Sequence, residues 1–198
     1  MVKVEKPYVF QSLDGKKVSL ADLFGPHEQL IVYHFMFGPK AEVGCPGCTF
    51  VGSNMADHRL LATTNTAFAC ISRGDPAKIA AYREKNEWTF PWYSSLGSDF
   101  NFDFHVSADE SVAPVQWNYK DKEELIKRGQ SYAVSGELPG ISVFYKEGND
   151  VYHTYSSFAR GVEKLINTYM MLDLTPLGRQ DFKPHNFPRP YELGEVQA

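Results

Sequence analysis

The chain has 198 residues, 43% of them hydrophobic and 22% charged, with a formal net charge of −4. A chain of this length buries roughly 70% of its extended surface as one domain, so its core needs neither disulfide nor metal. No basic run marks a nucleic-acid partner, and no apolar leader or long apolar stretch marks a secretory signal or a membrane span. Three cysteines are too few for a disulfide scaffold, and a reducing cytoplasm fits them best.

Tyr8-Val9-Phe10 and Lys17-Val18-Ser19-Leu20 flank Leu13-Asp14-Gly15-Lys16, and Asp-Gly between apolar stretches predicts a hairpin. Residues 30–37 are apolar on both faces, as in a buried central strand. A helix is predicted over residues 49–61. Ala67-Phe68-Ala69-Cys70-Ile71-Ser72 reads as a second buried strand, and Asp75-Pro76 as the cap and first residue of a helix over 77–86. Alternating strands and helices imply a parallel βαβ core. Residues 94–136 read as an insertion, with an aromatic stretch before it and a polar helix at 121–128. Ile141-Ser142-Val143-Phe144-Tyr145 and Val151-Tyr152-His153-Thr154-Tyr155 predict an antiparallel hairpin, followed by a last helix over 159–172. The tail, 175–198, carries Pro176, Pro184, Pro188 and Pro190 and should be extended, lying over the domain or over a second copy in a homodimer.

Cys45-Pro46-Gly47-Cys48 joins the first buried strand to the first predicted helix. A thiol at a helix start faces unpaired N–H groups and the positive end of the helix dipole, and both favour the thiolate, the reacting form. Pro46 suits the first helical position, where its missing N–H costs nothing. Cys45 is then the nucleophile and Cys48, one turn on, the resolving thiol. The alternative is a metal-binding or non-catalytic module. Zinc needs four ligands, and no second Cys-x-x-Cys exists; His34, Asp57 and His58 could complete a site only by coincidence of the fold.

The order of elements resembles the thioredoxin-like fold: an α/β domain with a central mixed sheet flanked by helices, here a single domain over 1–198 with an N-terminal β-hairpin like that of peroxiredoxins. Such folds carry a cis-proline before the antiparallel hairpin, and Leu138-Pro139-Gly140 occupies that place. Further motifs extend the resemblance: Phe35-Met36-Phe37-Gly38-Pro39, Gly44-Cys45-Pro46-x-Cys48, Ser98-Asp99-Phe100-Asn101, Ser142-Val143-Phe144-Tyr145, His153-Thr154-Tyr155-Ser156 with Ala159-Arg160-Gly161, and the run from Leu172 to Gln180. Together they are similar to a largely bacterial family catalogued as a domain of unknown function and labelled a predicted dithiol–disulfide oxidoreductase.

The expected activity is exchange with a disulfide-containing protein or low-molecular-weight thiol, with electrons from a reductant such as thioredoxin or glutathione and no dissociable cofactor. Pro46, Gly47, Leu138 and Pro139 are expected to support the site. Thioredoxin keeps a buried acid on the strand before its motif; residues 30–37 hold none, and His34 is the titratable alternative, with a core role as the plainer reading. Trp92 could line a substrate groove or belong to the core. Cys70, between Ala69 and Ile71, reads as a small core residue. Asp99 and Asp103 suit turns and caps, and Arg160 suits an ion pair. A peroxiredoxin-like thiol peroxidase is the competing enzyme class, but where peroxiredoxins place Thr or Ser, four residues after the motif proline, Pro39 leads to Val43.

Overall fold

The computed structural model describes residues 1–181. Its strands are β1 (Val2–Lys3), β2 (Val9–Ser12), β3 (Lys17–Ser19), β4 (Gln29–His34), β5 (Thr66–Ser72), β6 (Trp92–Ser94), β7 (Ser107–Ala108), β8 (Gln116–Trp117), β9 (Lys120–Asp121), β10 (Gly136–Glu137), β11 (Gly140–Glu147) and β12 (Asp150–Phe158). The α-helices are α1 (Pro46–Ser53), α2 (His58–Ala62), α3 (Pro76–Lys85), α4 (Phe100–Asp103), α5 (Lys122–Lys127) and α6 (Asn167–Leu172).

Eight strands form one mixed sheet in the order β1-β12-β11-β4-β5-β6-β2-β3. β4, β5 and β6 run parallel, joined by α1–α2 and by α3, as the βαβ reading requires. β11 pairs antiparallel with β4 and with β12, and the N-terminal hairpin β2–β3 adds to β6. The arrangement is the thioredoxin-like fold with its N-terminal hairpin in place. Gly15 makes the β2–β3 turn with φ of 87°, a region open to glycine without steric cost.

The sheet buries both faces. Leu30, Val32, Ala69, Ile71 and Phe144 pack on one side against Phe100 of α4 and Phe104 just after it. Tyr33, Phe68, Cys70 and Ile141 pack on the other against α1, Ile79 and Tyr82. Successive side chains of a strand alternate between faces, so neighbours in sequence enter different cores.

Two predicted helices are each divided. The helix expected over 49–61 ends at Ser53, and a separate α2 starts after Asp57, whose carboxylate accepts the Arg59 N–H at 3.0 Å. Between them Asn54 bonds back to the Phe50 carbonyl at 2.8 Å and accepts the Thr168 N–H at 2.8 Å, so the break anchors α6 to α1. The expected last helix becomes a 3-10 segment, Ala159–Leu165, followed by α6. Asp99 and Asp103 make no side-chain cap: they clasp Lys6 at 2.6 and 2.8 Å, and Asp103 accepts the Tyr8 hydroxyl at 2.7 Å. The polar helix forms as α5, capped by Asp121. Of the proline-rich tail, Pro184, Pro188 and Pro190 lie outside the described residues.

Candidate active site

The loop 35–45 carries the chain from β4 to α1 and brings it close to the core. A Cβ on Gly44 would meet Phe35 Cε1 at 2.7 Å and Tyr82 Cε1 at 2.8 Å, so only glycine fits beside Cys45 without displacing two aromatic rings. Cys45 is the cap residue of α1 and Pro46 its first residue, so the proline and the preceding thiol take the positions their chemistry suits. The Cys45 carbonyl accepts both the Thr49 N–H and the Thr49 hydroxyl, each at 2.8 Å. The Thr49 hydroxyl also bonds the Tyr82 hydroxyl at 2.7 Å, which ties the helix start to α3.

Cys45 is half-buried and Cys48 is buried, and no disulfide joins any two of the three cysteines. The Met36 N–H points to Cys48 Sγ at 3.4 Å. Burial pushes the Cys48 thiol well up, and its hydrogen bond with Cys45 adds to this; Tyr33 and the Met36 N–H oppose the rise by favouring the thiolate. Tyr33 is fully buried, and burial holds its phenol well above the ordinary range, so it remains a proton donor. A cavity of about 660 Å³ opens beside the thiols. Tyr33, Cys45, Gly47, Cys48, Leu138 and Pro139 all line it. Trp117, Tyr132 and Tyr169 supply aromatic walls, and Arg160 and Glu163, paired at 3.2 Å, supply charge.

Two expected site residues stand elsewhere. His34 follows Tyr33 on β4 and therefore points to the opposite face. There its ring lies against Phe100 and Phe104, and its Nε2 is 2.8 Å from the Ser142 hydroxyl. Tyr33 lines the cavity with the two thiols instead. Trp92 is buried in an aromatic cluster, 4.6 Å from Phe35 between ring centroids, and its Nε1 donates to Ser72 Oγ at 2.9 Å; it does not line the cavity. Cys70 is fully buried, also away from the cavity, and burial pushes its thiol well up.

The cis-proline expectation is corrected. No peptide bond among the described residues is cis, so Leu138–Pro139 is trans. The Leu138 N–H already donates to the Val106 carbonyl at 2.9 Å, and Gly140 enters β11 opposite His34 and Phe158. A trans bond, the preferred form by about 0.5–1 kcal/mol, connects these anchored neighbours and still leaves Pro139 on the cavity.

Tyr33, Trp117 and Tyr132 escape the sequence reading. Alternation on β4 could have raised Tyr33, but both faces of that strand are apolar and give no polar phase. Trp117 and Tyr132 lie in short elements without periodicity.

Among the described residues no group of three or more His, Cys, Asp or Glu side chains could hold a metal ion, and no helix is long and apolar enough to cross a membrane. Among curated proteins no sequence matches the chain. The fold is similar to that of peroxidoxin BcpB from Mycobacterium tuberculosis, at 14% identity and a TM-score of 0.53 over 85% of this chain and 96% of that one. It is also similar to a PrxQ mutant of Xylella fastidiosa, at 12% identity and a TM-score of 0.51 over 83% and 88% of the two chains. At such identity the likeness establishes the fold, the thioredoxin fold of peroxiredoxins. The sequence matches the family described as bacterial protein of unknown function, DUF899, over residues 1–192, and the chain belongs to that family.

Proposed function

We propose that this chain is a thiol–disulfide oxidoreductase in which Cys45 attacks and Cys48 resolves. The observation that carries the reading is the pairing of a half-buried thiol, at the cap of α1 and open to a cavity, with a buried thiol one turn further in. The Cys45 thiolate attacks one sulfur of a substrate disulfide; the substrate S–S bond breaks, and the departing thiolate takes a proton. The Cys48 thiolate then displaces the second substrate sulfur from Cys45, forming the Cys45–Cys48 disulfide. Two electrons and two protons pass to the substrate. Closure is effectively unimolecular, because the partner is held one turn away. A dithiol reductant such as thioredoxin, or glutathione, restores the pair, and a reducing compartment such as the cytoplasm supplies either.

Peroxide is the competing oxidant. Counted four residues from Pro39, where peroxiredoxins carry Thr or Ser, this chain has Val43, which is 47% exposed and offers no hydroxyl to a peroxide, and Cys45 comes one residue earlier than their motif places its cysteine.

The test is Cys48→Ser with a protein or small disulfide, quenched in acid and mapped by mass spectrometry. A stable mixed disulfide at Cys45 is expected, and none in Cys45→Ser. An adduct formed only on Cys48, in Cys45→Ser, reverses the roles. Wild type that consumes hydrogen peroxide and ignores disulfides belongs to the peroxidase class.

A further inference from the structure

The cavity is walled on one side by the segment that interrupts the thioredoxin-like order. Trp117 from β8 and Tyr132 from the turn Ser131–Ala133 both line it, with ring centroids 5.9 Å apart, edge to face. The hairpin carrying Trp117 turns through Asn118 and Tyr119, with φ of 49° and 61°. Asn tolerates that region, whereas a bulky side chain there costs roughly 1–2 kcal/mol. The Tyr119 ring meets Phe158 edge to face at 6.0 Å, immediately before Ala159 and Arg160 on the cavity wall. The strained turn is thus fastened to the chain that leads into the cavity wall.

Trp117 is 1% exposed, and its Nε1 is buried without a hydrogen-bond partner among the described residues. An indole N–H left in that state costs roughly 1–3 kcal/mol. Because Trp117 borders the cavity, an acceptor that enters and shifts the wall over Nε1 meets this donor. The volume of about 660 Å³ also falls within the span of small-molecule sites, roughly 300–1,000 Å³, and the walls are mainly aromatic and aliphatic.

Resting on the thiol–disulfide reading, we infer that the insertion makes this cavity a binding site for a low-molecular-weight disulfide with a flat apolar body and an acceptor atom that takes the Trp117 Nε1–H. The acceptor bond and the aromatic walls hold the body while Cys45 attacks the adjacent sulfur. Both halves of the substrate leave as thiols, each with one proton, and the enzyme is left as the Cys45–Cys48 disulfide.

The probe is 2,2′-dithiodipyridine, and its non-reacting analogue di-2-pyridyl sulfide reports binding alone. Calorimetry on the full chain carrying Cys45→Ser and Cys48→Ser should show binding of the sulfide. Adding Trp117→Phe should weaken it roughly fivefold through loss of one hydrogen bond, and Tyr132→Ala by a similar factor through loss of a ring contact. Circular dichroism and thermal melting establish that each variant is folded. With both thiols present, the same substitutions should slow reduction of dithiodipyridine by a larger factor than reduction of insulin disulfides. Absence of sulfide binding, or equal binding in all variants, overturns the inference. Equal slowing with insulin also overturns it, because the cavity would then serve a protein chain. Sulfide binding that depends on Trp117, without exchange on either disulfide, upholds the site and overturns the reaction instead.

Discussion

Tyr33 and Cys48 share one buried face of the sheet, and the phenol favours the Cys48 thiolate that burial otherwise opposes. Burial holds the phenol well above its ordinary range, so the hydroxyl keeps its proton as a donor. The Tyr33 hydroxyl, buried with no hydrogen-bond partner among the described residues, is therefore a donor placed to meet a thiolate on Cys48, in a molecule whose β4 strand supplies no acid for the task. Tyr33→Phe should lengthen the life of a Cys45 mixed disulfide on the order of tenfold, the effect of losing a hydrogen bond to a charged group. Rapid acid quench and mass spectrometry follow its decay. A decay rate equal to wild type would remove Tyr33 from the resolving step.

The fit of Gly44 against Phe35 and Tyr82 bears on the neighbouring Cys45. In Gly44→Ala the new methyl must displace two packed rings, at a cost of roughly 1–3 kcal/mol in stability. The same shift moves Cys45, so alkylation of Cys45 by iodoacetamide should change along with the urea midpoint. Tyr82→Phe retains the ring and removes the hydroxyl that bonds Thr49, so it should cost about 1 kcal/mol and leave the midpoint closer to wild type. Equal midpoints for wild type and Gly44→Ala would show that the loop absorbs the methyl.

Much of this architecture is written locally. Asp14-Gly15 makes its turn, Asp75 caps α3 with its carboxylate on the Ala77 and Lys78 N–H groups, and Pro46 starts α1 directly after Cys45. What could not be read depends on partners distant in sequence. The face of β4 is invisible because both faces are apolar; Tyr33 and His34 separate only once α1 and α4 have packed on opposite sides. The break at Asn54 is held by Thr168, more than a hundred residues on. Trp117 and Tyr132 meet only through folding of irregular segments, so an aromatic wall looked like unpatterned insertion.

The misplaced histidine yields a pH prediction. Burial first, and the charge of His153 second, depress His34 from 6.5 to about 3. The folded chain keeps it neutral, while the unfolded chain binds a proton near 6.5. Stability is therefore unaffected by this group above about pH 6.5, and falls as pH drops toward 3, by roughly 1.4 kcal/mol per unit. Between pH 7.5 and pH 5 wild type should lose about 2 kcal/mol more than His34→Asn, measured by urea unfolding. Equal losses would show that His34 does not titrate on unfolding.

Ala159 presents a different balance, between stability and the shape of the cavity. It starts the 3-10 segment with φ of 50°, in the left-handed region, and lines the cavity next to Arg160. A side chain there carries roughly 1–2 kcal/mol of steric cost. Glycine would remove the cost but would also gain conformational freedom in the unfolded chain, worth about 0.4–1 kcal/mol in the other direction. The first effect is the larger, so Ala159→Gly should raise stability slightly, by about 0.5–1 kcal/mol. Two residues on, Gly161 has no such latitude: a Cβ there would run into the Ser157 side chain, so Gly161→Ala should lower stability, by about 1–3 kcal/mol. Opposite signs at two positions of one turn are the expected outcome, read from urea midpoints. The strain at Ala159 sits on the cavity wall, where strained residues collect when geometry matters more than stability. Ala159→Gly should accordingly bind di-2-pyridyl sulfide more weakly even as it melts higher. A variant that is both more stable and equally tight would show that the strain serves no purpose in the site.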